Sequence, residues 1–150
     1  MGKHSEKFTN CVCDTLLSIV EAQDQVENDC QYSCDTAIQE LVGGASSPYN
    51  TIPVMLTCKG TCDLFVGHGV RRSHHTDTEL DVINAIVFRV NDVDPETCCA
   101  TLELLQDADT KNKSDLLKKI EHVDLEATNV CITVDLKNFG TVTCLPPVTL

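Results

Sequence analysis

The chain has 150 residues, with 42% hydrophobic and 23% charged, a balance that suits one folded domain rather than a disordered chain. Its formal net charge is −12. That argues against nucleic acid, since phosphate neutralisation needs clustered Lys and Arg, and against anionic membranes.

There is no tryptophan and aromatics make up 4%, so the core must be aliphatic, with Cys as a further small hydrophobe. No segment approaches the ~20 apolar residues that span a bilayer. The start, MGKHSEKFTNCVC, lacks the apolar stretch of a secretory signal. Glu6 stands where a myristoylation motif wants Ser or Thr. These features predict synthesis in the cytosol without a signal peptide, and there ten cysteines are unexpected, because cytosolic thiols stay reduced. Either the thiols hold metal, or the compartment later becomes oxidising.

In chain order, residues 1–12 read as a flexible arm. From Asp14, placed as a helix cap, a stripe runs through Leu16, Ile19, Val20, Gln23, Val26 and Cys30 at helical spacing. A short second helix is expected from Asp35 to Val42, ended by Gly43-Gly44, so that 13–44 form a helical N-terminal region. GASSPYN is a loop. TIPVMLTC and CDLFVGHGV read as a hairpin turning at Lys59-Gly60-Thr61, followed by the polar loop RRSHHTDTE. VINAIVFRV (82–90) and TCCATLELL (97–105) are strands separated by NDVDPE. SDLLKKIEHV (114–123) is a short helix capped by Ser114, and NVCITVDL and FGTVTCL close the chain as a C-terminal hairpin. The expected fold is α+β and mainly β, with an antiparallel, sandwich-like or barrel-like domain of about six strands over 45–150.

Alternation along the strands assigns directions to the thiols. Cys98 falls with Ala100, Leu102 and Leu104 on a core face. Cys99 falls with Thr101 and Glu103 on a wet face, as does Cys131 with Thr133 and Asp135. Cys144 shares a face with Val142 and reads as inward. Cys98 and Cys144 are therefore the buried-thiol candidates. Cys58 and Cys62 flank the Lys59–Thr61 turn, where facing residues lie within disulfide range, and they are the candidates for a bridge within the chain. Cys11 and Cys13 on the arm, Cys30 and Cys34 at the junction of the two helices, and Cys99 and Cys131 on the wet face are the candidates for bridges between chains. The rival is a zinc site from the C-x-C at 11 and 13 with the C-x3-C at 30 and 34, although no C-x2-C knuckle is present. No nucleophile elbow, phosphate-binding loop or dinucleotide fingerprint occurs, and DVDPE lacks the spacing of a calcium loop. Neither a catalytic residue nor a cofactor is assigned.

Four stretches in the same order over most of the chain carry a family resemblance: NCVCDTLLSIVEAQDQVENDC, TIPVML, VFRVNDVDPETCCATLELL and NVCITVDLKNFGTVTCL. Together they resemble the CotY/CotZ (ExsY-like) family of spore coat and exosporium proteins from endospore-forming Bacilli. The resemblance implies a non-enzymatic protein that assembles with itself, as a hexagonally ordered sheet locked by disulfides, and with other coat or exosporium proteins at the spore surface. It also explains the thiols: the mother cell makes the protein in reducing cytosol, and its lysis exposes the spore surface to oxygen. By resemblance Cys11, Cys13, Cys30, Cys98, Cys99, Cys131 and Cys144 occupy family cysteine positions. Relatives often have two further cysteines in the last hairpin, where this chain has Asn138 and Gly140, whereas Cys58 and Cys62 are additions.

Overall fold

Capping chemistry and runs of β-branched residues decide where this chain becomes regular. The computed structural model describes residues 11–23, 30–43, 47–73, 75, 76, 78–107 and 125–150, with backbone alone at Cys11 and Asp107. The helix expected over 114–123 and His74 lie outside these residues. The chain divides into two compact units, Met1–Gln31 and Tyr32–Leu150.

The first unit contributes helix α1, Cys11–Gln23. It starts three residues before Asp14, so Asp14 sits in the first turn, where its charge favours the helix dipole, and does not cap the helix. Leu16, Ile19 and Val20 form an exposed apolar stripe.

The second unit opens with α2, Cys34–Val42. Ser33 caps it reciprocally with Thr36: the Thr36 N–H donates to Ser33 Oγ at 3.2 Å and the Ser33 N–H donates to Thr36 Oγ1 at 2.9 Å. The strands are β1 (Val54–Cys58), β2 (Gly67–Arg72), β3 (Leu80–Ala85), β4 (Val87–Val93), β5 (Cys99–Asp107), β6 (Leu125–Asp135) and β7 (Phe139–Cys144). They make a five-stranded antiparallel sheet, β6-β5-β4-β1-β7, and a two-stranded sheet, β2-β3. The protein is α+β and mainly β.

Three expectations are corrected by this topology. The hairpin expected between TIPVMLTC and CDLFVGHGV is reduced to a single bridge, Thr57↔Leu64, while β2 pairs with β3 in the small sheet. The single strand expected over 82–90 is broken at Ile86, with β3 in the small sheet and β4 in the large one. Ala85, Ile86, Val87 and Phe88 are all buried. Four consecutive buried residues suit a corner where the chain changes sheet, because one strand with a wet face would expose every second residue. The expected C-terminal hairpin is also absent: β6 pairs with β5, and β7 pairs with β1 at the opposite edge. Only a 3₁₀ turn, Leu136–Asn138, joins them. Four Cα steps from Asp135 to Phe139 span at most ~14 Å, so the sheet must curl until its two edges approach at this end.

The concave side of that curl holds the main core: Val54, Leu56, Phe88, Leu102, Leu104 and Val130. The β2-β3 hairpin lies over half of it and approaches closely because Gly67 and Gly69 have no side chain. A Cβ on Gly67 would come within 2.6 Å of Phe88 Cε1, and one on Gly69 would collide with Val130. Phe65 fills the neighbouring space, its ring 5.5 Å from Phe88 and 5.0 Å from Phe139. A second cluster, Ile86, Val87, Leu105, Leu125 and Leu145, packs with Met55 and Leu150. The C-terminal tail is held there by Thr51 N–H to Val148 O (3.1 Å) and Leu145 N–H to Pro53 O (2.8 Å).

Candidate functional site

The chemistry of this chain lies in its cysteines, and the backbone decides what each can reach. Cys34 opens α2 and Cys144 ends β7, and the two are joined by a disulfide with Cα atoms 4.9 Å apart. This corrects two assignments, Cys34 as a bridge to another chain and Cys144 as a buried thiol. Alternation had Cys144 facing inward correctly, opposite Val54. The sequence could not show that the first turn of α2 is brought to the end of the last strand, 110 residues away.

Cys58 and Cys62 remain separate thiols, which corrects the bridge expected between them. The Cys58 N–H donates to Asp63 O (2.8 Å), so Asp63 occupies the facing position that Cys62 was expected to hold. Cys62 belongs to the turn itself, at φ 60°, exposed.

Cys98 is also displaced from its expected place. Ala100, Leu102 and Leu104 do form the core face, but β5 starts at Cys99. Cys98 closes the preceding turn at φ 63°, half-buried, with its N–H on Asp94 O at 2.8 Å and its carbonyl accepting from Leu136 N at 2.9 Å. Asp94 Oδ1 takes the Glu96 N–H (2.9 Å) and Thr97 Oγ1 takes the Cys99 N–H (3.3 Å). Polar side chains thus satisfy this turn and leave Cys98 as its left-handed residue.

Cys99 and Cys131 are exposed on the convex face of the large sheet. Cys99 pairs with Asp135, and Cys131 with Glu103. The two thiols are therefore four residues apart along neighbouring strands, ~13 Å, well beyond disulfide range. Asn91 Nδ2 lies 3.6 Å from Cys131 Sγ and 3.2 Å from Glu103 Oε1. Glu103 itself was expected to face water but is only 5% exposed. Its burial repairs a bulge in β6, where Thr128, Asn129 and Val130 stand opposite Leu104 alone: Asn129 takes φ 61°, and its N–H donates to Glu103 Oε2 at 3.2 Å. Thr128 Oγ1 donates to Leu104 O (2.7 Å) and accepts from Val130 N (3.1 Å). Strand alternation carried no signal for this carboxylate, because the bulge arises from β6 and not from β5.

In the first unit, Cys11 is the first residue of α1, Cys13 lies half-buried on the same helix, and Cys30 is exposed. One further feature was not visible in the sequence. β1 and β4 pair only at Val54↔Phe88 and then diverge, which opens a groove of about 350 Å³ on the uncovered half of the concave face, lined by Val90, Val93, Leu102, Leu136, Phe139 and Val142.

His68, one of the few basic groups near a cysteine in sequence, is bonded through Nδ1 to Asn84 Oδ1. Among the described residues no three His, Cys, Asp or Glu side chains gather as a metal-holding cluster, and no helix is long and apolar enough to cross a membrane.

Cys99 and Cys131 on a strand face and Cys62 in a turn thus stand as exposed thiols of a mainly β domain. The sequence profile of the family described as Spore coat protein Z matches residues 1–147. Spore coat protein Z of Bacillus subtilis (strain 168) is 34% identical over 151 aligned residues, covering 95% of this chain and 93% of that protein. The chain belongs to the spore coat protein Z family, a family of structural coat proteins rather than of enzymes. No solved structure matches it.

Proposed function

We propose that this protein is a self-assembling structural component of the spore surface, in coat, crust or exosporium. Noncovalent contacts build a two-dimensional array, and disulfides formed after release into an oxidising medium lock it. The observation that carries this reading is the placement of Cys99 and Cys131, exposed and too far apart to bond each other, in a chain whose family is named for the spore coat. Cys11, Cys13 and Cys30 of the first unit are the further inter-chain candidates, whereas Cys34 serves within the chain. The partners are other copies of this chain and other coat proteins. The order of events follows from redox chemistry, since bridges do not persist in the reducing cytosol where synthesis occurs. A net charge of −12 repels like copies, so the building contacts are apolar or charge-matched and are helped by salt.

The test is electron microscopy of purified protein with excess reductant, before and after oxidation. Ordered sheets, tubes or rings are expected in reductant, and resistance to hot detergent only after oxidation. Monomers alone in reductant, with arrays arising solely on oxidation, would overturn the order proposed.

A further inference from the structure

The five-stranded sheet ends in β6, and the C-terminal half of this edge, from Val130 to Asp135, lacks the lysine, proline, bulge or cover that keep sheet edges from pairing. β6 is 11 residues long, and LEATNVCITVD contains no Lys, Arg or Pro. Edge strands in soluble proteins are ordinarily short, charged with lysine, broken by proline or covered. The opposite edge, β7, has only 6 residues, and the Lys59 N–H reaches the Asn138 carbonyl just before it (2.7 Å). On β6 the N-terminal half is partly occupied, with the bulge at Asn129 and Arg71 Nη1 placed 3.4 Å from Thr128 O. From Val130 to Asp135 the strand is regular, bonded to β5 on one side, and no strand pairs with its other side among the described residues. Val130, Ile132 and Val134 turn toward the core, while Cys131, Thr133 and Asp135 stand exposed.

We propose that this edge is an interface with a second copy: β6 pairs antiparallel with β6 of the other chain about a two-fold axis at Cys131. The inference rests on the self-assembly reading and names one contact of the array. A two-fold perpendicular to the sheet keeps convex faces together, so exposed residues oppose exposed residues. With the axis at Cys131, Val130 lies opposite Ile132, and Thr133 to Asp135 run beside the bulged segment Ala127 to Asn129 of the other copy. No like charges face each other, which matters in so acidic a chain. The two Cys131 side chains then lie directly opposite, within the Cα range of a disulfide. Closure breaks two S–H bonds and forms one S–S bond. Dioxygen, or a diazene oxidant in the laboratory, accepts the two electrons and two protons and leaves as hydrogen peroxide or the hydrazine.

The experiment uses full-length protein, half of it labelled with ¹⁵N, mixed in reductant, allowed to assemble and then oxidised with diamide. Trypsin cleavage after Lys119 and Lys137 yields a peptide with Cys131 as its only cysteine. The expected product is that peptide bridged to itself, half of it carrying mixed labels. Two variants at this exposed position separate contact from lock. Cys131→Ser keeps the association in reductant and loses the homotypic bridge. Cys131→Lys sets two ammonium groups opposite each other and lowers association in reductant at least tenfold, with an unchanged melting temperature. Ordered wild-type arrays lacking the homotypic peptide, or a Cys131→Lys protein that assembles as well as wild type, overturn the pairing and leave self-assembly standing. The homotypic peptide in dimers that never grow into arrays supports the pairing and overturns self-assembly.

Discussion

Removing the Cys34–Cys144 bridge should change stability more than any other single alteration to the thiols. The bond joins residues separated by 110 positions. Cross-linking so long a loop removes about 16 cal/mol/K of entropy from the unfolded chain, about 4.8 kcal/mol at 25 °C, against the ~2–4 kcal/mol that bridges typically deliver. A unit of roughly 120 residues unfolds with an entropy near 250 cal/mol/K, so each kcal/mol is worth about 4 °C in Tm. The expected loss is therefore about 8–19 °C. Exposed thiols are first capped with iodoacetamide to keep the protein monomeric, and melting is followed by far-ultraviolet circular dichroism. Capped oxidised protein is compared with the Cys34→Ala, Cys144→Ala double variant. Because Cys144 packs against the core, reduced wild type serves as a second reference in which the side chains are intact. If oxidised and reduced wild type melt within ~3 °C of each other, the bridge does not constrain the unfolded chain as argued.

Other outcomes follow from single contacts. Gly69→Ala drives a methyl into Val130 and should lower stability by about 1–3 kcal/mol in urea titration, whereas Gly60→Ala, with open space around it but φ 89°, should cost about 1 kcal/mol. Glu103→Ala leaves the Asn129 N–H without its acceptor and should cost about 1–3 kcal/mol; no loss would mean that water replaces the carboxylate. Phe88→Ala, at 0% exposure in the main core, should cost about 3–5 kcal/mol. In monomeric protein, timed alkylation should modify Cys62, Cys99 and Cys131 before half-buried Cys98, and equal rates would contradict that ordering.

The elements of this fold were largely readable and their partners were not. Periodicity located β5 and its core face, since Ala100, Leu102 and Leu104 are buried, and it placed α2 to within one residue and the start of α1 to within three, while Val26 of the expected stripe lies outside the described residues. It failed where neighbours in sequence separate in space. NVCITVDL and FGTVTCL looked like a hairpin because a short polar link joins two strands, yet the curl of the sheet lets three residues connect opposite edges. VINAIVFRV looked like one strand because every residue suits a strand, and only the run of buried residues at 85–88 marks the corner. The exposure of Cys99 and Cys131 followed from alternation, a local property. The Cys34–Cys144 pair did not, because no local rule connects positions 110 residues apart. Cys98 and Cys62 were misplaced for a third reason: each takes a left-handed turn conformation that sequence rules reserve for glycine and asparagine.

The bridge also sets how the molecule carries tension. Consider a pull applied at Cys34 from the N-terminal side and resisted at Cys131. Along the backbone alone, these points are 97 residue steps apart, a contour length of ~330 Å if the domain were drawn out. With Cys34 bonded to Cys144, a second covalent route crosses to β7 and runs back through the 3₁₀ turn into β6, a path of 13 residues and ~45 Å. The shorter route tightens first and shields β1 to β5 from load. The oxidised protein would thus behave as a nearly inextensible link between its N-terminal segment and its outermost strand, whereas the reduced protein could be unravelled over several times that distance.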